Sequence, residues 1–192
     1  MPTTERQQAF LDLLEPVYPR LSRYALAITR NVEEAEDLTS DTVLWALMEF
    51  DSVRDKARFT GFLFKLASRL HKRKRYRERF RMPFDERHAE ARENEEPLPD
   101  QAAEIRLVME ALERLPARIR ETVVLFEVAD LKLAEIRNIQ GGSLSGVKSR
   151  LVRGRAMLQK ELGVSRTIGG VRTEEKNSLG RILITKTKDY AL

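Results

Sequence analysis

The residues best placed to do chemistry in this sequence are cations. The run KLASRLHKRKRYRERFR, from Lys65 to Arg81, holds nine lysines or arginines against one glutamate. Solvated helices usually mix the two signs, so such density points to neutralising phosphates, with affinity that falls steeply as salt rises. Tyr76 and Phe80 stand among these arginines, where exposed rings can stack on unpaired bases for about 1–3 kcal/mol each. Phe62 and Phe64, at helical spacing nearer the apolar start, read as core. A second concentration lies in LAEIRNIQGGSLSGVKSRLVRGRAML, from Leu133 to Leu158. Gly141 and Gly142 break a short amphipathic segment, because glycine enters left-handed backbone freely. Ser143 or Ser145 can then cap a new helix. In it Val147, Leu151 and Leu158 share a face, while Lys148, Arg150, Arg153 and Arg155 spread over the rest. Two short helices across a tight turn, the second basic, form the layout of a helix-turn-helix, a pattern that solvated helical hairpins share.

The remaining chemistry is sparse. With no cysteine and only His71 and His88, disulfides, thiolate metal sites and histidine-built metal centres are excluded. The carboxylates fall in helix caps and one acidic stretch, and no nucleophile motif or phosphate loop accompanies them. An enzyme, a metal and a cofactor are therefore not expected. A net charge of +5 favours a polyanionic partner. No apolar run approaches the roughly 20 residues of a membrane span, and MPTTERQQAF lacks a signal-peptide core, so the chain is expected in the cytoplasm.

The elements that carry these side chains read as helices throughout. Phe10, Leu11, Leu14 and Val17 give the first its apolar side, with Pro16 and Pro19 bracketing its end. Leu21, Tyr24, Ala25 and Ile28 form the stripe of the second. Asn31 should cap a third, VEEAEDLTSDTVLWALMEF, in which Asp37, Asp41, Leu44 and Met48 share one face. Ala35, Leu38, Thr42 and Trp45 should pack inward on the other. Early acids such as Asp37 also suit the positive end of a helix for stability alone. A looser segment, DSVRDKARFTG, then leads into the basic helix.

From Asp85 to Gln101 the chain carries seven acids, two arginines and two prolines, with no stripe able to hold it in a core. This composition reads as a linker. Helices resume with Ile105, Val108, Met109 and Leu112 aligned. Pro116 starts another, with Ile119, Val123 and Phe126 inward. The fold class is thus all-α: two small helical domains on a flexible acidic linker, the second a helix-turn-helix domain. The expected divisions are 1–82, the linker 83–101, 102–163, and a tail 164–192 of unknown role.

In this order the segments resemble the extracytoplasmic-function (ECF) sigma factors of the sigma-70 family. EEAEDLTSDTVLWAL looks like the region 2 segment that grips the clamp helices of RNA polymerase. FTGFLFKLASRLHKRKRYRER looks like the helix that opens and reads the −10 strand. ALERLPARIRETVVLFEVADLKLAEI followed by GVKSRLVRGRAMLQKEL resembles region 4. The resemblance implies an initiation factor without chemistry of its own, which brings core RNA polymerase to promoter DNA. It assigns Asp37, Asp41, Leu44 and Met48 to the polymerase. Lys65, Arg69, Lys72, Arg73, Arg75 and Tyr76 would hold the separated −10 strand. Ser145, Lys148, Ser149, Arg150, Arg153 and Arg155 would face the −35 duplex. Glu90, Glu93, Glu95 and Glu96 would let the linker follow the RNA exit path, and an anti-sigma protein is the implied inhibitory partner.

Some positions depart from the family pattern. Arg69 and Arg73 stand where Asn and Asp are common, Arg137 where a small alanine is usual, Gly142 for an apolar turn residue and Gly146 for a threonine. Arg137 either adds bulk between two helices or reaches to solvent. A helix-turn-helix regulator acting without polymerase and a sigma-like protein-interaction scaffold are the rival readings. The first of these leaves the basic Lys65–Arg81 helix and the acidic linker unexplained.

Overall fold

The computed structural model describes residues 3–53, 55–81 and 100–162. Within them the chain is helical: α1 (Thr3–Leu14), α2 (Tyr18–Thr29), α3 (Val32–Met48), α4 (Phe59–Arg81), α5 (Asp100–Glu113), α6 (Ala117–Glu127), α7 (Leu133–Gln140) and α8 (Leu144–Glu161). Two single 3-10 turns, Phe50–Ser52 and Lys56–Arg58, fill the looser segment before α4. The acids Glu90, Glu93, Glu95 and Glu96 and the tail 164–192 lie outside the described residues. The helix expected to resume at Ala102 begins at Asp100.

Local signals set most boundaries. Asn31 caps α3 by accepting from the backbone N–H of Glu34 at 2.9 Å. Pro19 sits in the first turn of α2, where its missing N–H is no loss. Arg30 ends that helix in the left-handed region at φ 63°, a conformation only glycine adopts without strain.

Helices α1 to α4 form one bundle. Its centre is aromatic: Phe10, Phe50 and Phe59 meet edge to face with centroids 5.3–6.0 Å apart, and Tyr24 meets Phe64 at 5.4 Å. Leu21, Tyr24, Ala25 and Ile28 are all buried, as their spacing requires. Two expected core positions are not. Leu11 is 51% exposed and Trp45 39% exposed. The buried stripe of α3 runs Ala35, Leu38, Thr39, Thr42, Ala46, and at about 100° per residue Trp45 lies roughly 80° off its centre. Leu11 likewise sits beside the Phe10–Leu14 stripe rather than on it.

The second bundle packs α8 across α6, with α5 and α7 at its sides. Val108, Leu112, Val123, Ile136, Val147, Leu151 and Leu158 are buried, while Ile119 and Phe126 are half-buried. The two bundles also touch. Helix α4 packs against α7, and α2 against α6.

Candidate polymerase and nucleic-acid interfaces

The α3 surface comes first. Asp37, Asp41, Leu44 and Met48 lie on the side opposite the buried stripe and are exposed, Leu44 by 55% and Met48 by 62%. Two large apolar side chains left in water beside two carboxylates make a surface suited to a protein partner. Lys74 of α4 lies 3.7 Å from Asp37, so the acidic face abuts the basic helix.

Helix α4 changes character along its length. Phe59, Leu63, Phe64, Leu66 and Ala67 are buried in its first half. Further on, the charged side chains face solvent. Lys65, Arg69, Lys72, Arg73, Arg75 and Tyr76 are all exposed. By helical angle Lys65, Arg69, Lys72, Arg73, Tyr76 and Phe80 form one stripe about 100° wide, and Arg75 falls beside it. Tyr76 (65% exposed) and Phe80 (73% exposed) pack on each other with centroids 4.6 Å apart. The aromatic pair therefore stands free in a cationic stripe, as base stacking needs. Phe64 is fully buried and Phe62 half-buried, in line with a core role. Arg69 reaches Glu49 at 3.3 Å.

The helix-turn-helix has the turn its glycines require. Gly141 (φ 72°) and Gly142 (φ 89°) are both left-handed. Ser143 then caps α8, accepting from the N–H of Gly146 at 3.1 Å. The named residues of α8 divide in two. Ser145, Lys148, Ser149 and Arg153 are exposed. Arg150 donates to the Thr122 hydroxyl at 3.2 Å, and burial lowers its pKa from the ordinary arginine value. Arg155 donates to Glu127 at 2.7 Å and lies over the Phe126 ring at 5.1 Å. Both therefore brace α8 on α6. Arg137 points to solvent and donates to Asn138, so it does not wedge the helices apart.

Three further features were not anticipated from the sequence. Gly154 is a close-approach position: a Cβ there would lie 2.4 Å from Val123 and 2.9 Å from Ile119. Glu127 is 6% exposed and balances Arg155. Glu121, 5% exposed, accepts from Ser68 at 2.5 Å and from Gln140 at 2.9 Å, and Lys72 lies 3.0 Å away. The signal for Glu121 was present: it shares a helical stripe with the buried Val124, Leu125 and Val128. A carboxylate on an apolar stripe needs partners from elsewhere.

Known proteins share this arrangement. Sigma-70 region 2 matches residues 13–81, and Sigma-70, region 4 matches residues 105–158. The chain is 30% identical to the ECF RNA polymerase sigma factor EcfG of Rhodopseudomonas palustris, over 80% of this chain and 84% of that protein. It is 27% identical to the ECF RNA polymerase sigma factor SigW of Bacillus subtilis, over 81% of this chain and 90% of that one. Among solved structures, the sigma factor RpoE of Bartonella quintana, in complex with the anti-sigma factor NepR, superposes with a TM-score of 0.64 at 27% identity. That match covers 83% of this chain and 99% of the other. CnrH, in complex with the cytosolic domain of CnrY, shares the fold at TM-score 0.59 and 23% identity, over 83% of this chain and 91% of that chain. No helix among the described residues is long and apolar enough to cross a membrane.

Proposed function

This chain belongs to the ECF sigma factors of the sigma-70 family, and from that membership we propose how its surfaces divide the work. It is a transcription initiation factor that binds core RNA polymerase and directs it to specific promoters. On our reading its units are region 2 (1–82), the acidic linker (83–101), region 4 (102–163) and the tail (164–192). It carries no catalytic group of its own and acts in the cytoplasm, where polymerase and promoter are.

The α3 face takes the polymerase clamp. Leu44 and Met48 supply apolar area, and Asp37 and Asp41 set orientation by charge. The α4 stripe holds the opened −10 strand. Lys65, Arg69, Lys72 and Arg73 neutralise phosphates, Arg75 adds charge at the margin, and Tyr76 stacks on a base with Phe80 behind it. Opening a duplex costs a few kcal/mol per unstacked base, and bound single strand offsets that cost. On α8 the exposed Ser145, Lys148, Ser149 and Arg153 meet the −35 duplex. Most such contacts go to phosphate, and an arginine that reaches a guanine edge contributes about 1–3 kcal/mol of discrimination. Arg150 and Arg155 act indirectly, by fixing the angle of α8. An anti-sigma protein is the expected inhibitor, since the Bartonella relative was solved with one.

The observation that carries this reading is the exposed cationic and aromatic stripe of α4 beside the acidic and apolar face of α3. Asp41→Lys tests it. The variant should keep its fold but lose co-elution with core polymerase and run-off transcription from a matched promoter. Undiminished co-elution would remove the α3 face from the polymerase contact.

A further inference from the structure

The stripe of α4 is not open along its whole length, because the second bundle is seated against it. Ile139 of α7 lines a groove with Phe62 and Leu66, along Lys65, Arg69 and Lys72. At the edge of that groove lies the Glu121 carboxylate. One oxygen accepts from the Ser68 hydroxyl at 2.5 Å and sits 3.0 Å from the Lys72 ammonium; the other accepts from Gln140 at 2.9 Å. Lys72 also donates to Ser68 at 3.0 Å, closing a small network.

A carboxylate held by a hydroxyl and an ammonium on a helix assigned to DNA is placed as a phosphate oxygen would be. It has the same charge sign and the same acceptor chemistry. Ser68 and Lys72 come from the other bundle. Separation would leave Glu121 with Gln140 from its own bundle and would free Ser68 and Lys72 for another anion. We propose that Glu121 is an internal substitute for the DNA backbone, which plugs the strand-binding face of α4 in a closed form of the free protein and is withdrawn when the bundles part. This rests on the reading of α4 as the strand-binding helix.

The rest of the seam is built to close and to release. Arg20 donates to the Ala129 carbonyl at 2.9 Å and to the Asp130 carbonyl at 3.0 Å, and Arg30 pairs with Glu113. Arg30 and Asp130 are the two non-glycine residues with positive φ among those described, at 63° and 50°, and both lie on this seam. The fasteners are polar, and polar seams between domains part more readily than apolar ones. Arg120 has its pKa lowered by burial and by Arg30 and Arg75, with Glu113 opposing, so closure works against some like-charge repulsion.

The chain has no cysteine, so a fluorophore pair can be placed at introduced cysteines on exposed Glu33 and Lys148 of the full-length protein. Energy transfer then reports closure, and a labelled single-stranded oligonucleotide of mixed sequence reports access to α4. Glu121→Gln removes the plug's charge. Arg20→Ala unfastens the seam without altering the cationic stripe of α4, and covers the case in which the first variant folds poorly. Both should lower transfer and tighten single-strand binding by roughly tenfold, the factor by which a closed population masks the site. Low transfer in the unaltered protein, or opening without tighter binding, overturns the plug. Replacing Lys65 and Arg69 by glutamine in the opened variants separates the two claims. Loss of binding in that background sustains the assignment of α4. Binding indifferent to those residues overturns the assignment, and the plug with it. Equal, Lys65- and Arg69-dependent binding by closed and opened proteins overturns the plug alone.

Discussion

Helices α4 and α8 both carry an excess of positive charge and use it differently. In α8 two of the five cations are turned in. Arg150 and Arg155 are absorbed by Thr122 and Glu127 on α6, and Lys148 and Arg153 remain exposed. In α4 the counter-charges are peripheral or borrowed: Glu49, Asp37, and Glu121 from the other bundle. A short recognition helix must be held at a fixed angle to enter a groove, and on the proposed reading two of its three arginines serve as braces. A helix that grips a flexible single strand needs no such angle, and its cations stay available. On the proposed reading, charge density alone therefore overstates the surface that α8 offers to DNA and describes that of α4 well.

The largest effects should come from the braces. Arg155→Gln leaves the buried Glu127 without its cation, a change that costs about 3 kcal/mol when a buried pair is broken. Urea unfolding should show the loss in the second bundle, with single-strand binding by α4 intact. If Arg155→Gln left stability unchanged and weakened duplex binding alone, Arg155 would belong to the DNA surface and the contrast would fail. Next comes Gly154→Ala. Its Cβ has no room beside Val123 and Ile119, so about 1–3 kcal/mol of strain is expected where the same change in an open helix would stabilise. Thermal melting of the full-length protein checks the sign.

On the α4 side, the combined change of the exposed Lys65, Arg69 and Arg73 to glutamine should leave stability nearly untouched. Single-strand affinity should fall, and its salt slope should drop by about 2, near 0.7 for each phosphate no longer neutralised. An unchanged slope would mean that these side chains meet no phosphate.

Legibility followed the same division. Periodicity located the helices because most of each buried face belongs to one bundle: Leu21–Tyr24–Ala25–Ile28 and Val147–Leu151–Leu158 are buried as spaced. It failed where a residue lies at the edge of a stripe, as with Leu11 and Trp45, since apolar character alone does not choose between stripe and margin. The exposure of Tyr76 and Phe80 was readable from their arginine neighbours. The pairing of Arg155 with Glu127, the tight site at Gly154 and the seam through Glu121 were not, because each depends on which helix lies opposite. That is tertiary information with no local period. Only the misplaced carboxylate at Glu121 hinted at it.

A smaller effect should come from pH. The half-buried His71 has its pKa lowered to about 4, chiefly by burial, then by Arg75, with Arg120 and Lys72 also lowering it and Glu121 opposing. Lys72 and Arg75 belong to α4, and Arg120 and Glu121 to α6, so part of this environment exists because the bundles are closed. A group whose pKa is depressed below the ordinary histidine value near 6.5 favours closure above that value and disfavours it as pH falls toward 4. Between pH 7 and 5.5 the closed population should decline, read as falling energy transfer. An identical response in His71→Gln would assign the effect to other groups.

The smallest effect should come where α8 begins. Gly146 lies in the first turn with ordinary helical backbone, and its N–H is the donor that Ser143 caps. In an open helix Gly→Ala stabilises by about 0.5–1 kcal/mol. Here the added Cβ would stand 3.2 Å from the Ser143 hydroxyl and 3.6 Å from an Arg150 nitrogen. The hydroxyl is fixed by its capping bond and cannot retreat freely without weakening a contact worth about 1 kcal/mol. Most of the propensity gain should thus be cancelled, leaving a rise below about 0.5 kcal/mol in denaturant unfolding of the full-length protein. The double variant decides whether the cap is the reason. Ser143→Ala should cost about 1 kcal/mol with Gly146 in place and clearly less beside Gly146→Ala, because the cap is already pressed there. Equal costs in the two backgrounds, with a full gain for Gly146→Ala alone, would show that the hydroxyl is not in the way. The glycine would then be a plain loss of helix propensity at the start of α8, and the angle of that helix would rest on Arg150 and Arg155 alone.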